Sequence, residues 1–270
     1  SCAEGVKTFL NTRNPVKQKL FKNNLSNISK KLKKNISKNL SEEEALEIFN
    51  DIGIQIVDYK VSFNEKQALE HSSQIGFPLA MKVLSNQILH KTETGGVELN
   101  IKNLEELKTS FQKLSNVFQK LKIKSSDEKF LIQKMEKGIA EIILGYRVDE
   151  LVGPIVVLGS GGILSEIYND KSIRMAPVDI IEAKKMINEV KSLITITGYR
   201  GLPEADINII ANAIVNMSKF AFVKEIKEAE INPVIVKKEN KGIVAVDGLI
   251  TLNWFFFVQF FFNKKYIFTC

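Results

Sequence analysis

Cysteine and long apolar runs are the scarcest features of this 270-residue chain, and each shortage excludes a class of protein. The two cysteines, Cys2 and Cys270, stand at opposite ends, so they provide neither a disulfide framework nor closely spaced metal ligands. No apolar run reaches the ~20 residues that a membrane helix needs, and no charged segment followed by an apolar one resembles a leader. We therefore expect a globular cytoplasmic protein without a membrane partner.

Acidic residues are almost absent from the first forty positions. Residues 1–40 hold ten lysines and arginines against a single acid, Glu4, so they carry +9, whereas the rest of the chain carries −2. The basic run 30–34 contains no aromatic residue and no groove-reading motif accompanies it, so a solvated linker is favoured over a nucleic-acid-binding arm. A salt-dependent DNA affinity that disappears on deleting residues 1–40 would support the arm. Because the chain starts at Ser1 rather than Met, we interpret residues 1–40 as a basic linker and the remnant of a preceding domain.

Regular structure is predicted to begin at Ser41. Ser41 and Glu44 form a capping box, in which each side chain accepts a hydrogen bond from the other residue's backbone N–H, and the helix should end near Gly53. The other predicted helices are 65–75, capped by Asn64, then 104–118, 179–193 and 205–220, and the predicted strands are 54–61, 79–84, 97–101, 130–135, 140–148, 154–158, 163–168, 228–236 and 243–246. Strands in succession followed by helices predict an α+β fold, with residues 60–125 as a smaller α/β subdomain.

The segment 81–97 has the residue types of a phosphate-binding loop. Lys82 interrupts an apolar strand and supplies a positive charge, while Gly95 and Gly96 let backbone N–H groups approach a polyphosphate. His90, between them, has a side chain that attacks phosphorus well near neutral pH. The alternative is an ordinary turn between two strands with a surface histidine.

A second group of polar residues lies near the end of the chain. Glu228, Glu230 and Asn232 share one face of a strand because side chains alternate, and Asp247 follows the next strand. If these two strands form a hairpin, Asp247 lies close to Asn232. Their carboxylate and amide oxygens suit a Mg²⁺ ion that keeps most of its waters and bridges nucleotide phosphates. The alternative is the polar outer face of an edge strand.

The middle strands add three further candidates. Glu141 lies on a polar strand face with Gly145, Arg147 and Asp149, opposite the apolar residues Ile142, Leu144 and Val148. The segment Gln133–Lys134–Met135 ends a strand where backbone groups can pair with an adenine edge. Arg174 is either a second cation for phosphate or a solvated arginine.

The ordered series of these motifs resembles an ATP-grasp domain. It consists of Lys82, the loop from His90 to Val97, the Gln-x-Met segment, Glu141 with Gly145, the glycine-rich segment 153–162, the segment 198–203, Glu230–Pro233 and Asp247. More narrowly, the series is similar to the ATP-grasp part of ADP-forming acyl-CoA synthetases of the acetate–CoA ligase β-subunit type, which are relatives of succinyl-CoA synthetase. The resemblance covers residues 41 to about 250.

The resemblance implies a fold of two α/β subdomains with the nucleotide in the cleft between them. Nucleotide-binding roles are implied for Lys82, Gly95, Gly96, Gln133, Lys134, Met135 and Glu141, and Arg174 is included as a further nucleotide-binding candidate. His90 matches the histidine that accepts the phosphoryl group, and Glu230 would orient the phosphorylated histidine. Asn232 and Asp247 would hold Mg²⁺. The implied reaction converts a carboxylate, CoA and ATP into acyl-CoA, ADP and phosphate. The implied partners are CoA-binding and ligase domains, either fused upstream or carried by a separate subunit.

Two other functions are compatible with the same motifs. One is a different ATP-grasp carboxylate ligase that forms an acyl phosphate directly, although such ligases need no histidine like His90. The other is a non-catalytic nucleotide-sensing module fused to an acyltransferase. Residues 251–270, with their aromatic run 254–262, have neither a strand nor a helix period. A non-native tail is favoured over a membrane-dipping anchor, and we assign these residues no function.

Overall fold

A computed structural model of the chain describes residues 22–33, 37–85, 91, 94–121, 123, 128–162 and 170–253. The chain divides into two compact units, of which the smaller comprises residues 41–44 and 56–137 and the larger comprises 1–40, 45–55 and 138–270. Three predicted features lie outside the described residues, namely His90, the strand 163–168 and the aromatic run 254–262. Among the described residues, no helix is both long and apolar enough to cross a membrane.

The helices and strands follow one another in the order of a mixed α+β domain. In chain order they are α1 (Lys22–Leu32), α2 (Glu42–Asp51), β1 (Tyr59–Ser62), α3 (Glu65–Ile75), β2 (Leu79–Val83), β3 (Val97–Ile101), α4 (Leu104–Lys120), β4 (Phe130–Lys134), β5 (Ala140–Asp149), β6 (Gly153–Ser160), β7 (Lys171–Met175), α5 (Ile180–Glu189), α6 (Ile207–Ser218), β8 (Ile226–Val236), β9 (Ile243–Ala245) and β10 (Gly248–Leu252). Short 3₁₀ turns cover Lys191–Ile196, Tyr199–Gly201 and Lys219–Phe222.

Side-chain caps explain where several helices begin. Ser41 and Glu44 form the predicted capping box, since the Glu44 carboxylate accepts from the Ser41 backbone N–H at 2.8 Å and the Ser41 hydroxyl accepts from the Glu44 N–H at 3.3 Å. Asn64 caps α3 and Asn103 caps α4, each by accepting a backbone N–H with its side-chain oxygen. The predicted caps at Ser41 and Asn64 are confirmed.

The smaller unit is built on a four-stranded antiparallel sheet in the order β1-β4-β2-β3. Strand β2 is buried along its whole length, and α3 and α4 pack on the sheet. Phe130 lies at the centre of the core, with ring centroids 4.4 Å from Phe111 and 5.3 Å from Phe118. The burial of β2 fixes the position of Lys82 in this unit.

The larger unit contains a six-stranded sheet in the order β10-β8-β5-β6-β7, with β9 paired to the end of β8. Helix α6 packs on β5 and β6, and α5 packs on β7 and α6. The predicted hairpin between the last strands is confirmed, because β8 pairs with both β9 and β10. β7 and β10 were not predicted, and β10 includes Thr251 and Leu252, which the sequence assigned to the non-native tail.

Residues before Ser41 are part of the fold, so the expectation of a solvated linker up to residue 40 is wrong for the described part. In α1, Ile28 and Leu32 are buried, while Lys31 forms ion pairs with Glu47 and Asp51. Leu40 N–H donates to the carbonyl of Ile250 in β10 at 3.0 Å. Ile28 and Leu32 lie one helical turn apart and form an apolar face that packs into the core. The surrounding lysines do not prevent this packing, because their long side chains remain near solvent or pair with acids.

Candidate nucleotide-binding site

Lys82 is buried in β2, and a carboxylate holds its ammonium group. Its Nζ donates to Oε1 of Glu42 at 2.7 Å, and Gln133 Nε2 donates to the same oxygen at 3.2 Å. The Glu42 side chain has no exposed surface, and that of Lys82 is 4% exposed. A buried charge needs such a partner, because desolvating a lone ammonium group is costly. The predicted phosphate cation is therefore fixed in the sheet by an ion pair.

The glycine pair lies at the end of the loop that follows β2. Gly95 has φ +70° with open space where a Cβ would be, so its conformation favours glycine. Gly96 is packed closely, since a Cβ there would lie 2.6 Å from Cγ2 of Val83. The Gly96 N–H donates to the carbonyl of Lys91 at 2.7 Å, and its carbonyl accepts from Val83 N–H at 2.9 Å. The two glycines thus serve different needs, a left-handed turn and a close approach to β2.

The predicted adenine segment, Gln133 to Met135, runs out of the central strand β4. Gln133 is fully buried, whereas Lys134 is exposed. The N–H groups of Lys134 and Met135 donate to the carbonyls of Asp58 and Pro78, both at 3.0 Å. Because these two donors are used within the protein, adenine pairing through this segment would involve its carbonyl groups.

Asn232 lies in β8, and Asp247 lies between β9 and β10, the two strands that pair with β8. The two residues are opposite each other. The Asn232 backbone N–H donates to the carbonyl of Asp247 at 3.1 Å, so the predicted proximity of the two residues is confirmed for the backbone. The Asn232 side chain donates with Nδ2 to Oε1 of Glu230 at 3.3 Å. That bond directs the amide nitrogen to Glu230 and leaves the amide oxygen Oδ1 as the potential metal ligand.

The chemistry of this oxygen set fits Mg²⁺. Glu230, Asn232 and Asp247 offer only hard oxygen donors, and Asn232 is exposed, so bound waters have room to complete the coordination. In the described part of the chain, no group of three or more His, Cys, Asp and Glu side chains is arranged to hold a metal. Mg²⁺ is commonly bound in this way, by one or two protein oxygens together with waters and phosphate oxygens.

Glu141 lies at the start of β5 on its polar face. Ile142 and Leu144 are buried on the opposite face, as predicted, but Val148 is 38% exposed, so the apolar face is shorter than expected. The Glu141 side chain is exposed, and its backbone carbonyl accepts from the N–H of Gly161 at 2.7 Å.

Arg174 lies in an internal network that ties β7 to α5, which contradicts one of the two expectations for it. Its Nε donates to Glu182 at 2.6 Å, one terminal nitrogen donates to Glu189, and the other donates to the carbonyl of Ile173 and to Ser172. Its side chain is only 18% exposed, so it is not a solvated arginine. Two carboxylates already balance its charge, and a phosphate-binding role for Arg174 stays a prediction.

Replacing Arg174 by methionine should lower stability at neutral pH and have little effect in acid. Hydrogen bonds from Arg174 lower the pKa values of Glu182 and Glu189, so the network stabilises the fold above the normal glutamate pKa and is lost as pH falls through the lowered values. We expect the free energy of unfolding to fall by about 1 kcal/mol at pH 7, since both glutamates are partly solvated. Urea unfolding at pH 7 and pH 3 measures this, and an equal deficit at both pH values would contradict it.

With this geometry described, comparison with known proteins identifies the family. The ATP-grasp domain family matches residues 31–252 of the chain. The chain belongs to that family. Its predicted α+β ATP-grasp fold is thereby confirmed, although the match begins ten residues before the predicted start at Ser41.

Relatives of this ATP-grasp domain are ADP-forming acyl-CoA ligases. The chain is 37% identical to acetate–CoA ligase [ADP-forming] I subunit beta of Pyrococcus furiosus, over 78% of this chain and 90% of the relative. It is 35% identical to 4-hydroxybutyrate–CoA ligase [ADP-forming] of Nitrosopumilus maritimus over 78% of this chain, but it spans only 30% of that longer protein.

This ATP-grasp domain is also similar to solved structures of acetyl-coenzyme A synthetases. One is the dinucleotide forming acetyl-coenzyme A synthetase 1 of Ca. Korarchaeum cryptofilum, in complex with coenzyme A and Mg-AMPPCP and with its phosphohistidine segment pointing towards the nucleotide binding site. The TM-score is 0.70 at 31% identity, with 85% of this chain and all of that chain covered.

Sequence reasoning missed two residues of the ion-pair cluster around Lys82, namely Glu42 and Lys91. Glu42 precedes Leu46 by four residues and Phe49 by seven, which places it on the buried face of α2. A carboxylate at such a position signals a buried cationic partner. Lys91 carries no comparable signal, because its contact with Glu42 depends on how the loop folds back.

Proposed function

We propose that this chain is the nucleotide-binding and phosphoryl-transferring part of an ADP-forming acyl-CoA synthetase. The match to 90% of a β subunit of acetate–CoA ligase carries the proposal. In the proposed reaction a carboxylate, CoA and ATP yield acyl-CoA, ADP and phosphate, with the phosphoryl group carried on His90. CoA-binding and ligase domains, fused or on a separate subunit, supply the acyl chemistry.

Lys82 and the glycine pair would bind the phosphate chain of ATP. The buried ammonium group supplies positive charge from a fixed strand, and the backbone at Gly95 and Gly96 can approach phosphate without a side chain in the way. Such a preorganised site stabilises the charge that spreads over the phosphoryl oxygens during transfer. The segment Gln133–Met135 and Glu141 would contact the rest of the nucleotide.

Asn232 and Asp247 would hold Mg²⁺, and Glu230 would orient the phosphorylated histidine. When bound, the ion would neutralise part of the negative charge on the phosphate oxygens of the nucleotide. Glu230 already accepts a hydrogen bond from Asn232, so the metal ligand and the orienting carboxylate are coupled on one strand. His90 would take the phosphoryl group from ATP through a ring nitrogen, with ADP leaving.

Labelling with γ-labelled ATP and Mg²⁺ tests the proposal. The full chain, alone and with the CoA-binding subunit of a relative, should acquire acid-labile phosphate, and His90→Ala should acquire none. Asp247→Asn should label only at a higher Mg²⁺ concentration, whereas the exposed variant Asp58→Asn should behave like the unmodified chain. Nucleotide binding without label in either setting would overturn the phosphohistidine step and favour a direct acyl-phosphate ligase or a sensing module.

A further inference from the structure

Arg200 has a backbone conformation that few residues other than glycine adopt. Its φ is +52° and its ψ is +32°, in the left-handed region, and it lies between Gly198 and Gly201, whose φ angles are +78° and +80°. The Cβ of any other residue crowds a carbonyl oxygen in this conformation, so arginine is an unfavourable choice here. Such strain is found most often at functional sites. Residues 198–203, called the arginine loop below, form a segment to which the proposed function gives no role.

Contacts on both sides of the arginine fix the backbone of the arginine loop. At its base, the Ala205 N–H donates to the carbonyl of Ile196 at 2.9 Å, and inside it the Gly201 N–H donates to the carbonyl of Gly198 at 3.1 Å. Gly198 is packed so closely that a Cβ there would lie 2.2 Å from Oε1 of Glu204. The arginine side chain is therefore displayed from a preorganised backbone, which lowers the entropy lost when it binds a partner.

The Arg200 guanidinium has no carboxylate partner among the described residues. It lies over the ring of Tyr199, with Cζ 5.3 Å from the ring centroid, in a cation–π contact. The other two arginines that the structure describes both pair with acids, Arg147 with Asp149 at 3.1 Å and Arg174 with two glutamates of α5. Within the described part of the chain, no acceptor takes a hydrogen bond from Arg200. Its five N–H donors match the geometry of a carboxylate.

The side chains next to Arg200 along the chain favour a protein partner over a soluble anion. Tyr199 is 44% exposed, Leu202 is 45% exposed, and Ile194, in the 3₁₀ turn that leads to the arginine loop, is 49% exposed. A small anion gains nothing from exposed apolar side chains, whereas a protein surface would bury them. Tyrosine and arginine are also the residue types that carry much of the binding energy at protein interfaces.

We propose that the arginine loop docks this chain on the CoA-binding and ligase part of the enzyme, with Arg200 paired to an aspartate or glutamate of that partner. The inference rests on the proposed function, which requires such a partner. A carboxylate can accept two parallel N–H bonds from the guanidinium, and Tyr199 and Leu202 would be buried beside that pair. The docking contact therefore consists of one charge-assisted pair within an apolar surround.

Calorimetric titration of the full chain with the CoA-binding subunit of a relative tests the pairing. Arg200→Asn removes the guanidinium but keeps a residue type that tolerates the left-handed region. This variant should bind about 30-fold more weakly, the loss typical of an interface hot spot. Arg200→Lys should bind with intermediate affinity, because an ammonium group keeps the charge but lacks the paired donors. Lys184→Gln, which removes an exposed charge from α5 of the same unit, should bind normally.

The titration is run without CoA and nucleotide, so a loss of affinity cannot come from a phosphate ligand. A loss that appears only after CoA is added would mark a phosphate-binding arginine and overturn the inference. Label incorporation from γ-labelled ATP by the Arg200→Asn chain alone should equal that of the unmodified chain. A loss of label there would place Arg200 at the nucleotide and would also overturn the docking contact.

Thermal unfolding separates docking from a structural role. Asparagine relieves part of the cost of the left-handed conformation, so the melting temperature of Arg200→Asn should equal or exceed that of the unmodified chain. A melting temperature lower by more than about 2 °C would assign Arg200 a structural role and overturn the inference.

Two further results separate the inference from the proposed function. If the unmodified chain acquires label from ATP but does not bind the subunit, the docking contact alone is overturned. The same holds if the subunit binds Arg200→Asn within about twofold of its affinity for the unmodified chain. If the unmodified chain neither acquires label nor binds the subunit, the proposed function fails together with the inference.

Discussion

Replacing Lys82 by methionine is expected to slow phosphoryl transfer from ATP by about 100- to 1000-fold. That range corresponds to losing one preorganised charge-stabilising group in a site that excludes water, about 3 to 4 kcal/mol of transition-state stabilisation. The lysine is 3% exposed in a strand buried along its whole length, so solvent cannot replace its charge. The measurement is the initial rate of label incorporation from γ-labelled ATP under conditions in which the unmodified chain is labelled.

The fold should survive this change. Methionine fills most of the volume of the lysine side chain, and Glu42 keeps hydrogen bonds from Lys91 and Gln133. The melting temperature should therefore fall by only a few degrees, which separates lost catalysis from lost structure. Lys108→Met removes an exposed lysine of the same unit and should label normally. A Lys82→Met variant that labels within about twofold of the unmodified rate would rule out Lys82 as the phosphate cation.

Replacing Glu42 by glutamine should have the largest effect on stability. A glutamine side chain has one oxygen and one NH₂ group, so one of the two lysines would face a donor in place of the oxygen it now contacts, and the negative charge is lost. Breaking a buried ion pair by removing one partner typically costs about 3–5 kcal/mol, because the remaining charges stay desolvated. We therefore expect the free energy of unfolding to fall by that amount, measured by urea denaturation followed by circular dichroism.

Glu105→Gln is the matched control for this variant. Like Glu42, Glu105 lies in the first turn of a helix, where an acid interacts favourably with the helix dipole, but Glu105 is exposed. Removing that charge should cost less than about 1 kcal/mol. The difference between the two variants measures what Glu42 gains from its buried lysines. Equal losses in both would mean that the cluster adds nothing to stability beyond the dipole.

Local signals in the sequence predicted much of the fold. Strand β3 was predicted with its observed bounds, 97–101, and the capping box at Ser41 and the caps of α3 were placed correctly. These features depend on neighbouring residues, which is why they can be read from sequence. The facing positions of Asn232 and Asp247 were predicted for the same reason, since a short connection between strands favours a hairpin.

The errors concern features set by distant parts of the chain. β7 alternates only weakly between polar and apolar residues, and its place in the sheet depends on its antiparallel pairing with β6. Arg174 gave no sign that its two glutamate partners would come from α5. Glu42 and Lys91 are 49 residues apart, and only tertiary structure brings them together.

The pairing of residues 38–40 with β10 determines when the larger unit can finish folding as the ribosome synthesises the chain. Asn39 and Thr251 are hydrogen-bonded although 212 residues separate them, whereas most of the smaller unit lies in one continuous segment, 56–137. A ribosome releases the N-terminal segment long before it releases its partner strand. Residues 38–40 therefore gain these partners only after β10 has been synthesised, whereas α1 can pair with Glu47 and Asp51 much earlier.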